Sequence, residues 1–257
     1  MLQINHYTKQ YSAGGKKAVD DLSLHILPGE IFGFLGHNGA GKTTTIKACC
    51  GILDFTEGEI LVNGMSVKKK PLECKKIMAY IPDNPDLYDF MSGIQYLNFV
   101  GDVYKVPADL REKNIAEYSK DMGITEALAD KIGSYSHGMK QKLAIVAALM
   151  HDPKLLIMDE PFVGLDPKAA FILKKFMRSF CDRGGAIFFS THVLEVAEKL
   201  CDKIAIIRAG KLLASGDIET VKGNESLEEV FLELVDDMKV SEEEYTTEEK
   251  KAEVKNA

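Results

Sequence analysis

Eight residues, Gly36-His37-Asn38-Gly39-Ala40-Gly41-Lys42-Thr43, fit a phosphate-binding glycine loop, and no other segment limits so sharply what this chain can fold into. Residues 30–35 before the loop read as a buried strand. Thr44-Thr45-Ile46-Lys47-Ala48-Cys49-Cys50 after it can open a helix. Strand, glycine loop and helix in that order are the setting the motif requires. The glycines let backbone N–H groups converge on a polyphosphate with no Cβ in the way, and the helix N-terminus adds a partial positive charge. Lys42 is then expected to reach the β- and γ-phosphates, and the Thr43 hydroxyl to bind Mg²⁺.

A chain of 257 residues that is 46% hydrophobic and 28% charged can bury a proper core, as one large domain or a domain with a subdomain. Its net charge of −7 argues against nucleic acid as the main partner. The Lys68-Lys69-Lys70 run reads as a solvated turn. Five cysteines, an odd number with no framework spacing, read as reduced thiols. The first residues lack the basic-then-apolar order of a secretory signal, and no apolar run approaches the roughly 20 residues of a spanning helix. Any membrane role is therefore expected to depend on a partner.

Short apolar strands are expected at residues 2–4, 22–27, 30–35 and 59–62, with Pro28-Gly29 and Asn63-Gly64 as turns. From about 84 to 150 the periodicity becomes helical. Ser92 and Gln95 form a capping box for a helix through Val100, and further helices are expected at 110–122 and 136–150. The α/β pattern then resumes. Strands are expected at 154–158 and 186–190, and a helix between them starts at Asp166-Pro167 and stops at Gly184-Gly185. A helix at 192–200 precedes a hairpin of 204–207 with 212–214. Residues 226–235 make an amphipathic helix with Leu227, Val230, Phe231 and Leu234 on one stripe. Residues 233–257 form an acidic C-terminal tail, expected to stay disordered from Ser241 on.

Leu155-Leu156-Ile157-Met158-Asp159-Glu160 is an apolar strand that stops at two carboxylates, at the end where α/β sheets bind ligands. Asp159 suits a Mg²⁺ complement and Glu160 a general base that polarises water. Tyr135-Ser136-His137-Gly138-Met139-Lys140-Gln141, taken alone, is a helix start with Ser136 as its cap.

The glycine loop, Ser136-His137-Gly138, residues 155–160, Gly164-Leu165-Asp166 and Ser190-Thr191-His192 occur in the order and rough spacing of ABC-type ATPases. The resemblance covers about residues 1–232. It implies an α/β fold: a P-loop NTPase (RecA-like) core with an antiparallel β-subdomain and an inserted α-helical subdomain at about 84–150. It further implies an ATP-binding subunit of an ABC transporter that uses ATP and Mg²⁺. Tyr11 resembles the residue that stacks on adenine, with a core tyrosine at a strand end as the competing reading. The loop residues Gly36 to Thr43, with Thr44, would bind the nucleotide. Ser136, His137, Gly138 and Met139 would act in trans as the signature that meets the γ-phosphate of the opposite protomer. Asp166 would lie in the loop that crosses the dimer, and His192 would contact the γ-phosphate.

Two departures stand out. Asp83 occupies a place where the family usually has glutamine, so a shorter and charged ligand stands by the metal and the γ-phosphate. His137 and Met139 replace the usual glycine and glutamine, a pattern resembling bacterial exporter ATPases with separate membrane subunits. Residues 84–91 either form the groove for a membrane-subunit helix, between Leu87 and Met91, or pack locally on the helical subdomain. The implied partners are an integral-membrane permease and a second ATPase subunit, identical or not. The implied place is the cytoplasmic face of the cell membrane, with catalysis by Lys42, Glu160 and His192. Competing readings are an ATP-gated switch on a soluble complex and a subunit that binds ATP but barely hydrolyses it.

Overall fold

The structure, a computed structural model, describes residues 1–234. Two sheets form it. The first is antiparallel, with order β2-β1-β4-β5, from β1 (Leu2–Gln10), β2 (Lys17–Ile26), β4 (Glu57–Val62) and β5 (Met65–Ser66). The second contains β3 (Ile31–Leu35), β6 (Met78–Ile81), β7 (Leu155–Asp159), β8 (Ala186–Thr191), β9 (Lys203–Arg208) and β10 (Lys211–Asp217). Its order is β10-β9-β3-β8-β7-β6, and every pairing except the β9–β10 hairpin is parallel.

The parallel strands read as unbroken apolar runs because both of their faces are covered. With side chains alternating along each strand, Phe32, Phe34, Leu155, Ile157, Phe188 and Ile207 join one core with the antiparallel sheet. That core also takes Ile46 and Ala48 of helix α1 (Lys42–Cys49). Ile31, Leu35, Leu156, Met158, Ile187 and Phe189 join the opposite core. There they share a cluster with residues of α3 (Gly93–Val103), α4 (Ala108–Met122), α5 (His137–Leu149), α6 (Pro167–Asp182) and α7 (Leu194–Leu200). The helices α3, α4 and α5 lie in sequence between β6 and β7.

Most starts and stops follow local chemistry. Ser92 and Gln95 make the reciprocal capping box of α3, at 3.3 and 2.9 Å. Gly123 closes α4 at φ +66°, a left-handed position where a Cβ would be strained. Several bounds differ from the sequence expectation. β1 runs to Gln10, because the left-handed His6 (φ +50°) and a register shift between Asn5 and Thr8 let the strand bend and continue. A short helix α2 (Pro71–Ile77), not expected from the sequence, follows the lysine run. Lys68 in that run places its ammonium 3.7 Å from the Phe55 ring centroid, so it packs as well as solvates. α7 starts at Leu194 because Thr191 first accepts a hydrogen bond from Val193 N–H.

All five cysteines are buried and unpaired, and burial pushes their thiols up, Cys181 to about 12. They are packing groups, not nucleophiles. Among the described residues, no helix is long and apolar enough to cross a membrane. Residues 227–234 are helical, and the expected acidic tail lies outside the described residues except for its first two positions.

Candidate functional site

Parallel register brings the chemistry to one edge. Leu35 pairs with Thr191, Asp159 with Ser190 and Ile81 with Met158, so the strand ends carrying the glycine loop, Asp83, Asp159-Glu160 and His192 lie side by side. Between them opens a cleft of about 460 Å³, lined by Tyr11, Ala18, residues 37–39 and 41–44, Asp83, Asp159 and Glu160.

The glycine loop is shaped by two requirements. Gly41 caps α1 at φ +111°, and a Cβ there would lie 2.8 Å from the Ala18 carbonyl. A Cβ on Gly36 would strike the Ile207 carbonyl. The Lys42 side chain is buried and curls back over the loop, donating to the carbonyls of Gly36 at 2.6 Å and His37 at 3.3 Å. Its ammonium also faces the Glu160 carboxylate at 3.5 Å. The same Glu160 oxygen lies 3.0 Å from His192 Nδ1, so lysine, glutamate and histidine from three strand ends converge.

Glu160 takes a left-handed conformation, φ +47°. Its N–H is held by the Ser190 carbonyl at 3.2 Å and the Ser190 hydroxyl at 3.1 Å. That hydroxyl donates to Asp159 at 2.5 Å, and both side chains are buried. Ser190 thereby holds the Asp159 carboxylate and the Glu160 backbone at once. Sequence reasoning quoted Ser190 and gave it no task. The available signal was the pair of hydroxyl residues, Ser190 and Thr191, that ends an otherwise apolar strand.

Tyr11 is 65% exposed at the mouth of the cleft, its hydroxyl 3.1 Å from the Thr44 hydroxyl. The tyrosine of β1 that enters the core is Tyr7, fully buried, which donates to the Thr44 carbonyl at 3.4 Å. Asp83 lines the cleft with Thr43 and Asp159, and all three carry side-chain oxygens. Among the described residues, no group of three or more His, Cys, Asp or Glu could by itself hold a metal ion. A small divalent ion here needs oxygens from a bound phosphate, which is the habit of Mg²⁺.

The signature residues are not in this cleft. Ser136 caps α5 by accepting from Met139 N–H at 3.3 Å, and Ser136 and His137 are exposed. The His137 ring lies on Gly164, where any Cβ would strike it, and a Cβ on Gly138 would lie 2.6 Å from the Gly164 carbonyl. Asp166 caps α6 through Ala169 N–H at 2.9 Å and pairs with Lys142 at 2.6 Å. That lysine is the main reason its carboxyl is held below the usual range. The signature turn and the 164–166 loop are thus joined to each other and face outward.

Residues 84–91 pack locally and leave one apolar ring open to solvent. Tyr88 packs against Phe90, Tyr96 and Phe99 at centroid distances of 5.7, 6.1 and 5.7 Å, while Phe90 remains 70% exposed. Beside them a 220 Å³ groove is lined by Leu87, Tyr96, Val100, Tyr104, Ala148 and His151 among others.

A glycine loop at the end of a parallel strand, with paired carboxylates on a neighbouring strand end, defines a nucleotide-binding α/β protein of the P-loop class. The ABC transporter family model matches residues 19–163. The chain is 39% identical over 230 residues to the uncharacterized ABC transporter ATP-binding protein YhcH of Bacillus subtilis (strain 168), covering 89% of this chain and 72% of that one. It is 38% identical over 216 residues to the linearmycin resistance ATP-binding protein LnrL of the same organism, covering 84% and 69%. A solved structure of the ATP-binding subunit of an ABC transporter superimposes with a TM-score of 0.87 at 31% identity, covering 91% of this chain and 99% of that one. The chain belongs to the ABC transporter family.

Proposed function

We propose that this chain is the ATPase subunit of a transporter whose membrane-spanning parts are separate proteins. One observation carries the reading: Lys42, Asp83, Asp159, Glu160 and His192 stand at one sheet edge, around a cleft whose rim holds an exposed tyrosine.

In this reading the adenine stacks on Tyr11, and the amides of residues 38–44 grip the phosphates. Lys42 exchanges the Gly36 and His37 carbonyls for phosphate oxygens and leaves Glu160. Freed from that ammonium, Glu160 accepts a proton from the attacking water, and His192, already beside it, donates to the γ-phosphate. Thr43, Asp159 and Asp83 would hold Mg²⁺, which supplies charge neutralisation on the β- and γ-oxygens. The last donors come from a second copy, whose Ser136 turn and 164–166 loop close over the γ-phosphate. The exposure of Ser136, His137, Asp166 and Val163 supports that closure.

A helix of the membrane partner docks on the groove beside Phe90, between Leu87 and Met91, reached through the arm at about 84–150. The chain then sits on the cytoplasmic face of the membrane. Export is the favoured direction, supported by the similarity to a protein of linearmycin resistance. Equilibrium titration with a fluorescent ATP analogue in Mg²⁺ tests the core of this reading. Saturable binding is expected, with at least a tenfold loss in Lys42→Ala, in line with the strength of charge-assisted phosphate contacts. Unchanged binding by that variant would remove Lys42 from the site.

A further inference from the structure

The helix at 227–234 opens with its own cap, in which Ser226 N–H and hydroxyl both donate to Glu229, at 2.8 and 2.9 Å, and Glu229 N–H returns to the Ser226 hydroxyl. Its inner stripe is anchored. Leu227 is fully buried and Phe231 only 6% exposed, in the same apolar cluster as Leu35 and Ile206 at the root of the glycine loop. The loop rim is the opposite: His37, Asn38 and Gly39 are exposed, and a Cβ on Gly39 would meet nothing. Across this contrast the Phe231 ring meets the His37 ring, centroids 4.9 Å apart and planes at 68°, an edge-to-face pair. His37 itself belongs to the glycine loop, so the ring pair joins the loop to the buried cluster.

We propose that Phe231 is a positioning residue for the nucleotide: through His37 it holds the glycine loop in its phosphate-ready shape, and it makes the helix at 227–234 a lever on ATP affinity. The inference rests on the nucleotide-binding reading above. Its physical content is two contacts, from the core to Phe231 and from the Phe231 ring to the His37 ring, which tie the backbone of the glycine loop to the buried cluster. Removing the ring pair leaves the loop able to bind and costs it preorganisation, so affinity falls about two- to tenfold.

The full chain is titrated with a non-hydrolysable ATP analogue in Mg²⁺, as wild type, His37→Ala, Phe231→Leu and the double variant. Phe231→Leu keeps an apolar anchor in the cluster, and His37→Ala approaches the contact from the exposed side, where the fold is not at risk. Leu232→Ala, on the outer face of the same helix at 52% exposure, is the control expected to bind as wild type does. Each single variant is expected to weaken binding by that factor, and the double variant no further than the weaker-binding single, the mark of a shared interaction. Wild-type affinity in both singles, or effects that multiply in the double, overturns the positioning role while leaving nucleotide binding intact. Absence of saturable binding by the wild type would instead overturn the functional reading, and this inference with it.

Discussion

Ser190→Ala isolates the device that holds the Asp159 carboxylate and the backbone of Glu160. In the wild type the Ser190 hydroxyl donates to Asp159 at 2.5 Å and accepts from Glu160 N–H at 3.1 Å. The variant keeps the Ser190 carbonyl, so Glu160 N–H retains its partner at 3.2 Å and that half of the loss is small. Asp159 fares worse. It is 3% exposed and loses a hydroxyl donor to an ionised oxygen, a change costing about 2 kcal/mol. For a chain of this size that lowers Tm by roughly 4–8 °C. An unsupported carboxylate also binds metal less well, and the Mg²⁺ concentration for half-maximal turnover should rise about tenfold. Differential scanning fluorimetry reads the first effect and turnover across a Mg²⁺ series the second. A variant that melts within about 1 °C of wild type with the same Mg²⁺ dependence would refute the claim that Ser190 supports the site.

Asp83→Gln removes a negative charge from the cleft and should tighten metal-free ATP binding about threefold, while changing the Mg²⁺ dependence of turnover. Identical Mg²⁺ curves would place that carboxylate away from the metal. His151 stacks on Tyr104 at 3.7 Å between centroids, and burial holds its imidazole below the ordinary 6.5. Below that pH the unfolded chain takes up a proton that the folded chain resists, so His151 costs stability as the solution is acidified. His151→Phe keeps the ring stack and should flatten the fall in Tm between about pH 7.5 and 5.5. An unchanged slope would assign the acid sensitivity to other groups.

The glycine loop and the Asp159-Glu160 strand were legible because each is a local pattern whose neighbours in sequence are its neighbours in space. The caps at Ser92, Ser136 and Asp166 were legible for the same reason. What escaped depends on register or on distant packing. The task of Ser190 exists only because β7 and β8 set it opposite Asp159. The division between a buried Tyr7 and an exposed Tyr11 follows from the register shifts between Tyr7 and Gln10 and the end of β1 there, which no periodicity announces. The short helix α2, rich in lysine, offered no apolar stripe. The Phe231–His37 pair joins residues nearly 200 positions apart, beyond the reach of any motif.

The claim on which most depends is that two chains complete each other's sites. Glu160→Gln should bind Mg-ATP without consuming it. Light scattering during size-exclusion chromatography in saturating Mg-ATP should then show the mass rising from 28.4 kDa to twice that value. Ser136→Arg, added to the same chain, should return it to a monomer with nucleotide still bound. A Glu160→Gln chain that stays monomeric under saturating Mg-ATP, or a dimer indifferent to Ser136→Arg, would contradict closure through the Ser136 turn.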